Sequence, residues 1–287
     1  PSGCVPLGGG ARRAVFVVPG GAGDGPDLFA ARRIARATGG GFAFLAFRSS
    51  AASLGPGSSV AEAFLRQLRE AQPAGPYALV GDCVGGSVAF AMARRLRAAG
   101  ESVDVLALVD APFPGGGRRR RAWLRRHAPA ASRLLERLAY FGGRLRHHAA
   151  VLREARSGRA AYAARFGRVG LRGLSAPSDP RRERFLDRRS TYVAAALAER
   201  PGVYDGAVLL VESEATTRRG DGAAWDRLAA RVDRVVVPGD HARLLLDHDG
   251  PVGEALRRAL EGAAQAEADG EPGGSPHFSS NFRRFSS

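Results

Sequence analysis

The sequence contains no lysine, so all 43 of its basic residues are arginine, and the formal net charge is +15. A positive excess of this size is one sign of a polyanionic partner. No helix-turn-helix, zinc-finger or RNA-binding motif accompanies the charge, and arginine with abundant alanine and glycine is typical of a GC-rich genome. We therefore expect no nucleic acid among its partners. Without lysine, a phosphate-binding Gly-x-x-x-x-Gly-Lys-Ser/Thr loop is excluded as well.

Cysteine and long apolar runs are also scarce. Cys4 and Cys83 are too few for a disulfide framework, and no cysteine and histidine residues have metal-ligand spacing, so we expect neither a metal nor a bound cofactor. The longest apolar runs, such as 14–18 and 42–47, are far shorter than the roughly 18 residues that cross a bilayer. No secretory leader is visible, and we expect a cytoplasmic protein that does not bind membranes.

Apolar runs and helical patterns alternate along most of the chain. The runs predict buried strands, and the segments between them carry apolar residues at helical spacing. Near-continuous apolar strands that alternate with helices predict a mostly parallel sheet covered on both faces, which is the α/β class. The predicted strands cover 14–18, 42–47, 77–80, 103–109, 206–212 and 233–237, and the predicted helices cover 28–38, 58–71, 87–98 and 252–264.

The alternation stops between about residues 114 and 200. Amphipathic helical patterns fill this stretch without a convincing strand, and a helical insertion between two sheet strands predicts a lid. We expect one domain over 14–264 with its lid at about 114–200. A glycine- and proline-rich linker is expected over 1–13. A low-complexity tail over 265–287 is expected to be disordered, with a short docking segment at its Phe/Arg end as the alternative.

A short motif carries the strongest chemical signal. Residues 81–85 (Gly-Asp-Cys-Val-Gly) lie between a predicted strand and an alanine-rich predicted helix, and they fit the nucleophile elbow Gly-x-nucleophile-x-Gly. The nucleophile of such an elbow sits in a strained turn, so its neighbours must be small. The motif predicts Cys83 as a nucleophile. The alternative is a buried structural cysteine, because free cysteine is among the most buried residue types.

A cysteine nucleophile works with a base, and the base needs an acid that orients it, in the chain order nucleophile, acid, histidine. Asp110 directly follows the apolar run 103–109, and His241 lies in the loop after 233–237. The carboxyl ends of parallel strands meet at one edge of a sheet. The sequence therefore predicts a triad of Cys83, Asp110 and His241.

Other residues compete for the two supporting roles. His248 is the serious rival base, but it lies further from the strand end than His241 does, and the remaining histidines fall in the predicted lid or tail. Asp82 adjoins the nucleophile, where its charge would disfavour a thiolate. The acidic alternatives to Asp110 are Asp82, Asp240, Asp205 and Glu212.

The sequence also contains backbone donors for an oxyanion hole. In this kind of site the donors are the N–H of the residue after the nucleophile and an N–H from the loop after an early strand. Val84 occupies the first position, and Gly20 in the Pro-Gly-Gly loop at 19–21 is the candidate for the second. We predict that both N–H groups face the developing oxyanion.

With these residues in place, the chain resembles the C-terminal thioesterase domains of nonribosomal peptide and polyketide synthases, which have the α/β-hydrolase fold. Six segments carry the resemblance and span most of residues 5–260. They are VPLGGG, VVPGGAG, YALVGDCVGGSVAFAMARRL, VLALVDAPFP, YDGAVLLVESE and RVVVPGDHARLL.

The resemblance implies an enzyme that takes an acyl or peptidyl chain from the phosphopantetheine arm of a carrier protein. Its catalytic residues would match Cys83, Asp110 and His241, with the lid between the last two. The bound acyl or peptidyl group would be released from the enzyme by hydrolysis or by cyclisation to a lactone or lactam. No bound cofactor would take part. Most such domains use serine, so Cys83 leaves the fate of the acyl group open. The arginine-rich segment 118–126 is a candidate surface for an acidic carrier protein.

Two other functions compete with this interpretation. Dienelactone hydrolases also have a cysteine elbow, although they act on small lactones and have no long lid. A non-catalytic binding module on the same fold is the second alternative, which a complete triad in the expected order disfavours.

Overall fold

The computed structural model describes residues 3–10, 12–23, 27–49, 59–113, 128, 131, 180–199, 202–220, 222–241, 244 and 250–269. The strands are β1 (Val5–Gly9), β2 (Arg12–Val18), β3 (Phe42–Ala46), β4 (Tyr77–Asp82), β5 (Val103–Val109), β6 (Tyr204–Ser213) and β7 (Ala229–Val237). The α-helices are α1 (Asp27–Thr38), α2 (Val60–Ala71), α3 (Gly85–Ala98), α4 (Pro180–Ala198), α5 (Glu214–Arg218) and α6 (Pro251–Ala268), and a 3₁₀ turn covers Trp225–Arg227.

The strands form one seven-stranded sheet in the order β1-β3-β2-β4-β5-β6-β7. Every neighbouring pair is parallel except β1 with β3. The predicted α/β class with a mostly parallel sheet is therefore confirmed, and each predicted strand and helix outside the lid coincides with an observed one to within a few residues. Parallel pairing brings the ends of β2, β4, β5 and β7 to one edge of the sheet, where the predicted site residues follow them.

Helices cover both faces of the sheet because the strand side chains alternate between them. On one face, Phe16 and Leu79 pack with the apolar sides of α2, α3 and α4. On the other face, their neighbours Val17 and Val80 pack with α1 and α6. Both layers are buried, so the sheet is a rigid platform for the loops at its edge.

The first strand corrects one expectation. Residues 1–13 were expected to be a linker, but Val5 to Gly9 form β1, which pairs with β3 at the edge of the sheet. Gly8 and Gly9 have positive φ angles of 104° and 118°, which glycine adopts without strain. Glycine has no side chain to show alternation, so the strand is defined by its partner rather than by its own pattern.

A buried carboxylate fixes the end of α4 against the rest of the domain. Glu199 accepts hydrogen bonds from Ser59 Oγ (2.7 Å) and from the N–H of Ala61 (3.1 Å), and it pairs with Arg95 at 3.2 Å. These contacts join α4 to the start of α2 and to α3. Since α4 falls inside the stretch predicted as a lid, this part of the predicted lid packs on the core.

Most of the predicted lid, residues 114–179 apart from 128 and 131, lies outside the described residues, and so do the arginine-rich segment 118–126 and residues 270–287. The last described helix runs to Ala268, four residues past the predicted end of the domain at 264. None of the helices in the described ranges combines the length and the apolarity that a membrane crossing requires.

Candidate active site

Cys83 lies in a strained turn between β4 and α3. Its φ angle is +51°, in the left-handed region that non-glycine residues rarely adopt, and such strain clusters at functional sites. Its N–H donates to the carbonyl of Val109 (2.9 Å), which fixes the turn against the end of β5. A Cβ built on Gly81 would lie 2.5 Å from Gly86 Cα, and one on Gly85 would lie 2.3 Å from the carbonyl oxygen of Val18. The small residues of the motif are therefore required by close backbone approach.

Asp110 follows β5 and also has a positive φ angle, +45°. Its carboxylate is buried, and Oδ1 accepts hydrogen bonds from the backbone N–H (2.9 Å) and the hydroxyl (3.1 Å) of Ser213 at the end of β6. Burial alone would raise the pKa of Asp110, but hydrogen bonds from His241, Ser213 and Thr216 lower it below its ordinary value. Asp110 is thus held as a carboxylate.

His241 contacts the other oxygen of that carboxylate, Oδ2, which the Ser213 hydroxyl also approaches at 3.3 Å. The distance from His241 Nδ1 to Asp110 Oδ2 is 2.7 Å. Because an ionised carboxylate only accepts hydrogen bonds, Nδ1 carries the proton, and Nε2 is left to exchange a proton with another group. Hydrogen bonds with Asp110 and then with Cys83 raise the pKa of His241 to about 10. The structure therefore brings the three predicted triad residues together in a chain of contacts, Cys83 to His241 to Asp110.

The two predicted oxyanion donors lie beside Cys83. Val84 precedes the first residue of α3, so its N–H is at the positive end of that helix. Gly20 follows β2, and a Cβ built on it would be 3.0 Å from the Cβ of Cys83. Both backbones are near the thiol, and their role as donors to an oxyanion stays a prediction.

Several competing residues have other contacts. Asp205 is an exposed partner of Arg97, with a shortest distance of 3.2 Å. Glu212 is fully buried and pairs with Arg234 at 2.5 Å. Asp240 is exposed, and His248 lies outside the described residues. In the described part of the chain, Asp110 is the carboxylate that contacts His241.

The structure adds three residues that the sequence did not single out as supports of the site. Ser213 holds Asp110, and Thr216 in turn lies 3.0 Å from the Ser213 hydroxyl. Tyr192 on α4 is buried, and its hydroxyl donates to the carbonyl of Pro19 (2.9 Å), the residue before Gly20. A serine in the strand–turn sequence Glu-Ser-Glu at 212–214 gives no recognisable signal, because its role depends on a strand distant in sequence.

Asp82 has a different environment from the one that sequence reasoning gave it. It was considered only as a rival acid, yet it is buried beside the Gly20 loop, where a Cβ built on Gly20 would be 3.3 Å from its Oδ2. Burial raises the pKa of Asp82 to about 6, and the nearby His241 and a hydrogen bond from the Gly20 backbone oppose that rise. No group of three or more histidine, cysteine or acidic residues that could hold a metal ion occurs within the described ranges.

Comparison with known families identifies the domain type. The family model described as "Thioesterase domain" matches residues 13–260. Curated relatives match over a shorter stretch. The chain is 40% identical over 80 residues to non-reducing polyketide synthase ustP of Ustilaginoidea virens, which is 28% of this chain and 4% of that protein. It is 53% identical over 51 residues to enterobactin synthase component F of Escherichia coli K12, which is 18% of this chain and 4% of that protein.

Solved structures show the same fold. The NocB thioesterase domain from the nocardicin cluster has a TM-score of 0.55 at 22% identity, covering 91% of this chain and all (100%) of that one. A four-domain nonribosomal peptide synthetase bound to AMP and glycine has a TM-score of 0.52 at 20% identity, covering 95% of this chain and 20% of that one. At these identities the likeness concerns the fold.

The chain matches only a small part of the curated synthases, 4% of each of the two named above.

Proposed function

Because the chain belongs to the thioesterase domain family, we propose that it releases an acyl or peptidyl chain from the phosphopantetheine thioester of a carrier protein, through an acyl-enzyme on Cys83. The observation that carries this proposal is the contact chain at the sheet edge. His241 Nδ1 is 2.7 Å from Asp110 Oδ2, and the same imidazole is hydrogen-bonded to the strained Cys83. A nucleophile, a base and an orienting carboxylate are the parts that acyl transfer requires.

The loading step follows from this arrangement. The Cys83 thiol gives its proton to Nε2 of His241, and the sulfur attacks the thioester carbonyl. The carbon–sulfur bond to Cys83 forms and the bond to the pantetheine sulfur breaks. The imidazolium then gives its proton to the departing thiolate. Asp110 keeps the imidazole in the required tautomer and stabilises its charge throughout, and the N–H groups of Val84 and Gly20 face the transient oxyanion.

The second step is where cysteine differs from serine. An acyl group on serine is an oxoester, whereas on Cys83 it stays a thioester and keeps its reactivity. Cysteine is also the nucleophile that depends least on its base. We propose that the retained reactivity serves an amine or hydroxyl of the substrate itself, which attacks the carbonyl and gives a lactam or lactone. His241 Nε2 takes the proton of this internal nucleophile and gives it to the Cys83 sulfur, which leaves as the carbon–sulfur bond breaks. Hydrolysis is the competing outcome.

The carrier protein is the proposed partner because the matched relatives are synthases. The matched stretches cover 4% of the polyketide synthase and 4% of the enterobactin synthase component. Since so little of those proteins is compared, the substrate of this chain is defined only by class, as an acyl or peptidyl thioester that carries an internal nucleophile.

Intact mass spectrometry after mixing the protein with an acyl-pantetheine thioester tests the loading step. We expect one acyl adduct on the parent and on Cys4→Ala, and none on Cys83→Ala. Cys4 is the matched control because it is buried, and burial with the nearby Glu70 raises the pKa of Cys4 to about 11, so its thiol stays protonated. An adduct that persists on Cys83→Ala would contradict the assignment.

The product ratio tests the second step. With a thioester that carries an internal amine or hydroxyl, the parent should give mainly the cyclised product. Cys83→Ser should still be acylated, but it should stall or shift toward the hydrolysed product because the oxoester is less reactive. Chromatographic quantification of the two products measures the ratio. A serine variant that cyclises as fast and as cleanly as the parent would remove this explanation for Cys83.

A further inference from the structure

Asp82 has a buried carboxyl group, and only one of its two oxygens is hydrogen-bonded by the described residues around it. It is 3% exposed, and no hydrogen-bond donor among the described residues reaches its Oδ1. The other oxygen, Oδ2, lies against Gly20, where a built Cβ would be 3.3 Å away, and the Gly20 backbone N–H binds the carboxyl group. Buried polar atoms without partners are rare in folded proteins and invite a functional explanation.

The same Gly20 N–H is the predicted second donor to the oxyanion. A backbone N–H has one hydrogen, so it cannot make a full hydrogen bond to the Asp82 carboxylate and to the oxyanion on the Cys83 acyl carbon at once. We propose that Asp82 is a positioning residue that acts through Gly20: its ionised carboxylate holds the Gly20 N–H away from the oxyanion, and its neutral carboxyl releases it. This inference rests on the proposed function, since it concerns the same acylation step.

The charge of Asp82 sets the strength of that hold. A hydrogen bond to an ionised group is roughly twice as strong as one between neutral groups. The pKa of Asp82 is raised to about 6 by burial, so the switch between the two forms falls in an accessible range. The titratable groups that face it from the packed elements are His241 after β7, Asp110 after β5, Cys83 beside it, and Arg189 and Tyr192 on α4.

A direct effect of the Asp82 charge on the thiol would change a different set of reaction rates. The negative charge of Asp82 could act directly on the neighbouring thiol by disfavouring a thiolate. Such an effect would slow every reaction of Cys83. An effect through Gly20 would slow only reactions that develop an oxyanion. Alkylation by iodoacetamide displaces iodide at a saturated carbon and develops none, so it reports the thiolate alone.

The test is the ratio of two rates at Cys83, acylation by an acyl-pantetheine thioester and alkylation by iodoacetamide, measured by mass spectrometry below and above the pKa of Asp82. In the parent, we expect this ratio to fall about tenfold as Asp82 ionises. In Asp82→Asn, which keeps the shape and has no charge, the ratio should be independent of pH and should equal the higher value of the parent. The parent alone tests the inference if the variant does not fold.

Asp104→Asn is the matched control. Asp104 lies near the amino end of β5, at the opposite edge of the sheet, and pairs with Arg13 at 2.9 Å. This variant should keep the pH dependence of the parent. A parent whose ratio does not change with pH, or an Asp82→Asn variant that keeps the parental change, would overturn the inference alone. A parent that is alkylated but never acylated at Cys83 would overturn the proposed function, and this inference with it.

Discussion

Asp82 and Asp110 lie at the ends of neighbouring strands, and both are 3% exposed. Their pKa values are nevertheless shifted in opposite directions. Burial raises the pKa of Asp82 to about 6, while the pKa of Asp110 is lowered from its ordinary value although burial acts on it too. The difference lies in the donors. Asp110 receives hydrogen bonds from Ser213 and His241, whereas Asp82 has the Gly20 backbone and one buried oxygen that no donor among the described residues reaches.

This comparison shows that burial alone does not decide the charge of a carboxyl group. Desolvation disfavours the ionised form in both cases, and well-placed donors reverse it in one. The donors of Asp110 come from β6 and from the loop after β7, so the charge beside His241 is set by strands far away in sequence. The difference between Asp82 and Asp110 can be tested with variants of each carboxyl group and of Ser213, and removing the charge of Asp110 is expected to have the largest effect.

Removing the charge of Asp110 should have the largest effect. In Asp110→Asn, the amide is expected to stabilise the wrong tautomer of His241. The corresponding loss in serine enzymes is about 10⁴-fold. Because cysteine depends less on its base, we expect acylation of Cys83 to slow by about 10²- to 10³-fold. Single-turnover mass spectrometry measures it, with the exposed Asp205→Asn as the control that stays near the parental rate. A loss of less than about threefold for Asp110→Asn would contradict the role of this carboxylate.

The two carboxyl groups should affect stability with opposite dependence on pH. The folded pKa of Asp82 lies above its ordinary value of 3.8, so its neutral form is favoured on folding. The contribution of Asp82 to the free energy of unfolding is fully present below its unfolded pKa. This contribution, roughly 3 kcal/mol at most, is lost as the pH rises through about 6. Asp82→Asn lacks this loss. Its free energy of unfolding should therefore increase relative to that of the parent as the pH rises.

Urea unfolding of Asp82→Asn, Asp110→Asn and the parent at several pH values measures that dependence. The folded pKa of Asp110 is lowered, so its contribution is present above the unfolded pKa and is lost as the pH falls through the folded value. Asp110→Asn should therefore lose stability relative to the parent as the pH rises through the ordinary range of aspartate. If the free energies of unfolding of both variants changed in the same direction relative to the parent as the pH rises, the two carboxyl groups would not have opposite pKa shifts.

Removing one donor from Asp110 should have the smallest effect. Ser213→Ala deletes the hydroxyl that lies 3.1 Å from Oδ1 but keeps the backbone N–H at 2.9 Å. We expect acylation to slow by about tenfold, since one hydrogen bond to a charged group is worth about 1.5 kcal/mol. The acidic limb of the pH–rate profile should shift to higher pH, because Asp110 loses a donor that favours its charge.

Ser213→Thr keeps the hydroxyl and is the conservative control, which should restore most of the rate and the position of the acidic limb. The hydroxyl of Ser213 also accepts from the N–H of Thr216 and so caps α5. A purely structural role would lower stability without moving the acidic limb. An unmoved limb in Ser213→Ala would therefore show that Ser213 caps the helix and does not position Asp110.

Much of the fold, and the meeting of Cys83, Asp110 and His241 at one sheet edge, could be predicted from short-range features. The strand around Val103–Val109 and the elbow at Cys83 were readable because apolar runs, glycine spacing and helical periodicity are local properties of the chain. Asp110 and His241 followed from their place after predicted strands. The strand β1 was missed because its glycines hide alternation, and it forms only where β3 offers a partner.

Local features of the chain, namely periodicity and strand ends, already place the candidate residues at the carboxyl edge of the sheet and Cys83 at the start of a helix. The contacts of Ser213 with Asp110, of Tyr192 with Pro19 and of Asp82 with Gly20 arise only when the chain is folded. The ionisation state of a carboxyl group depends on how far burial removes it from water and on the hydrogen-bond donors around it. Those donors reach it across the sheet, from strands and helices that are distant in sequence.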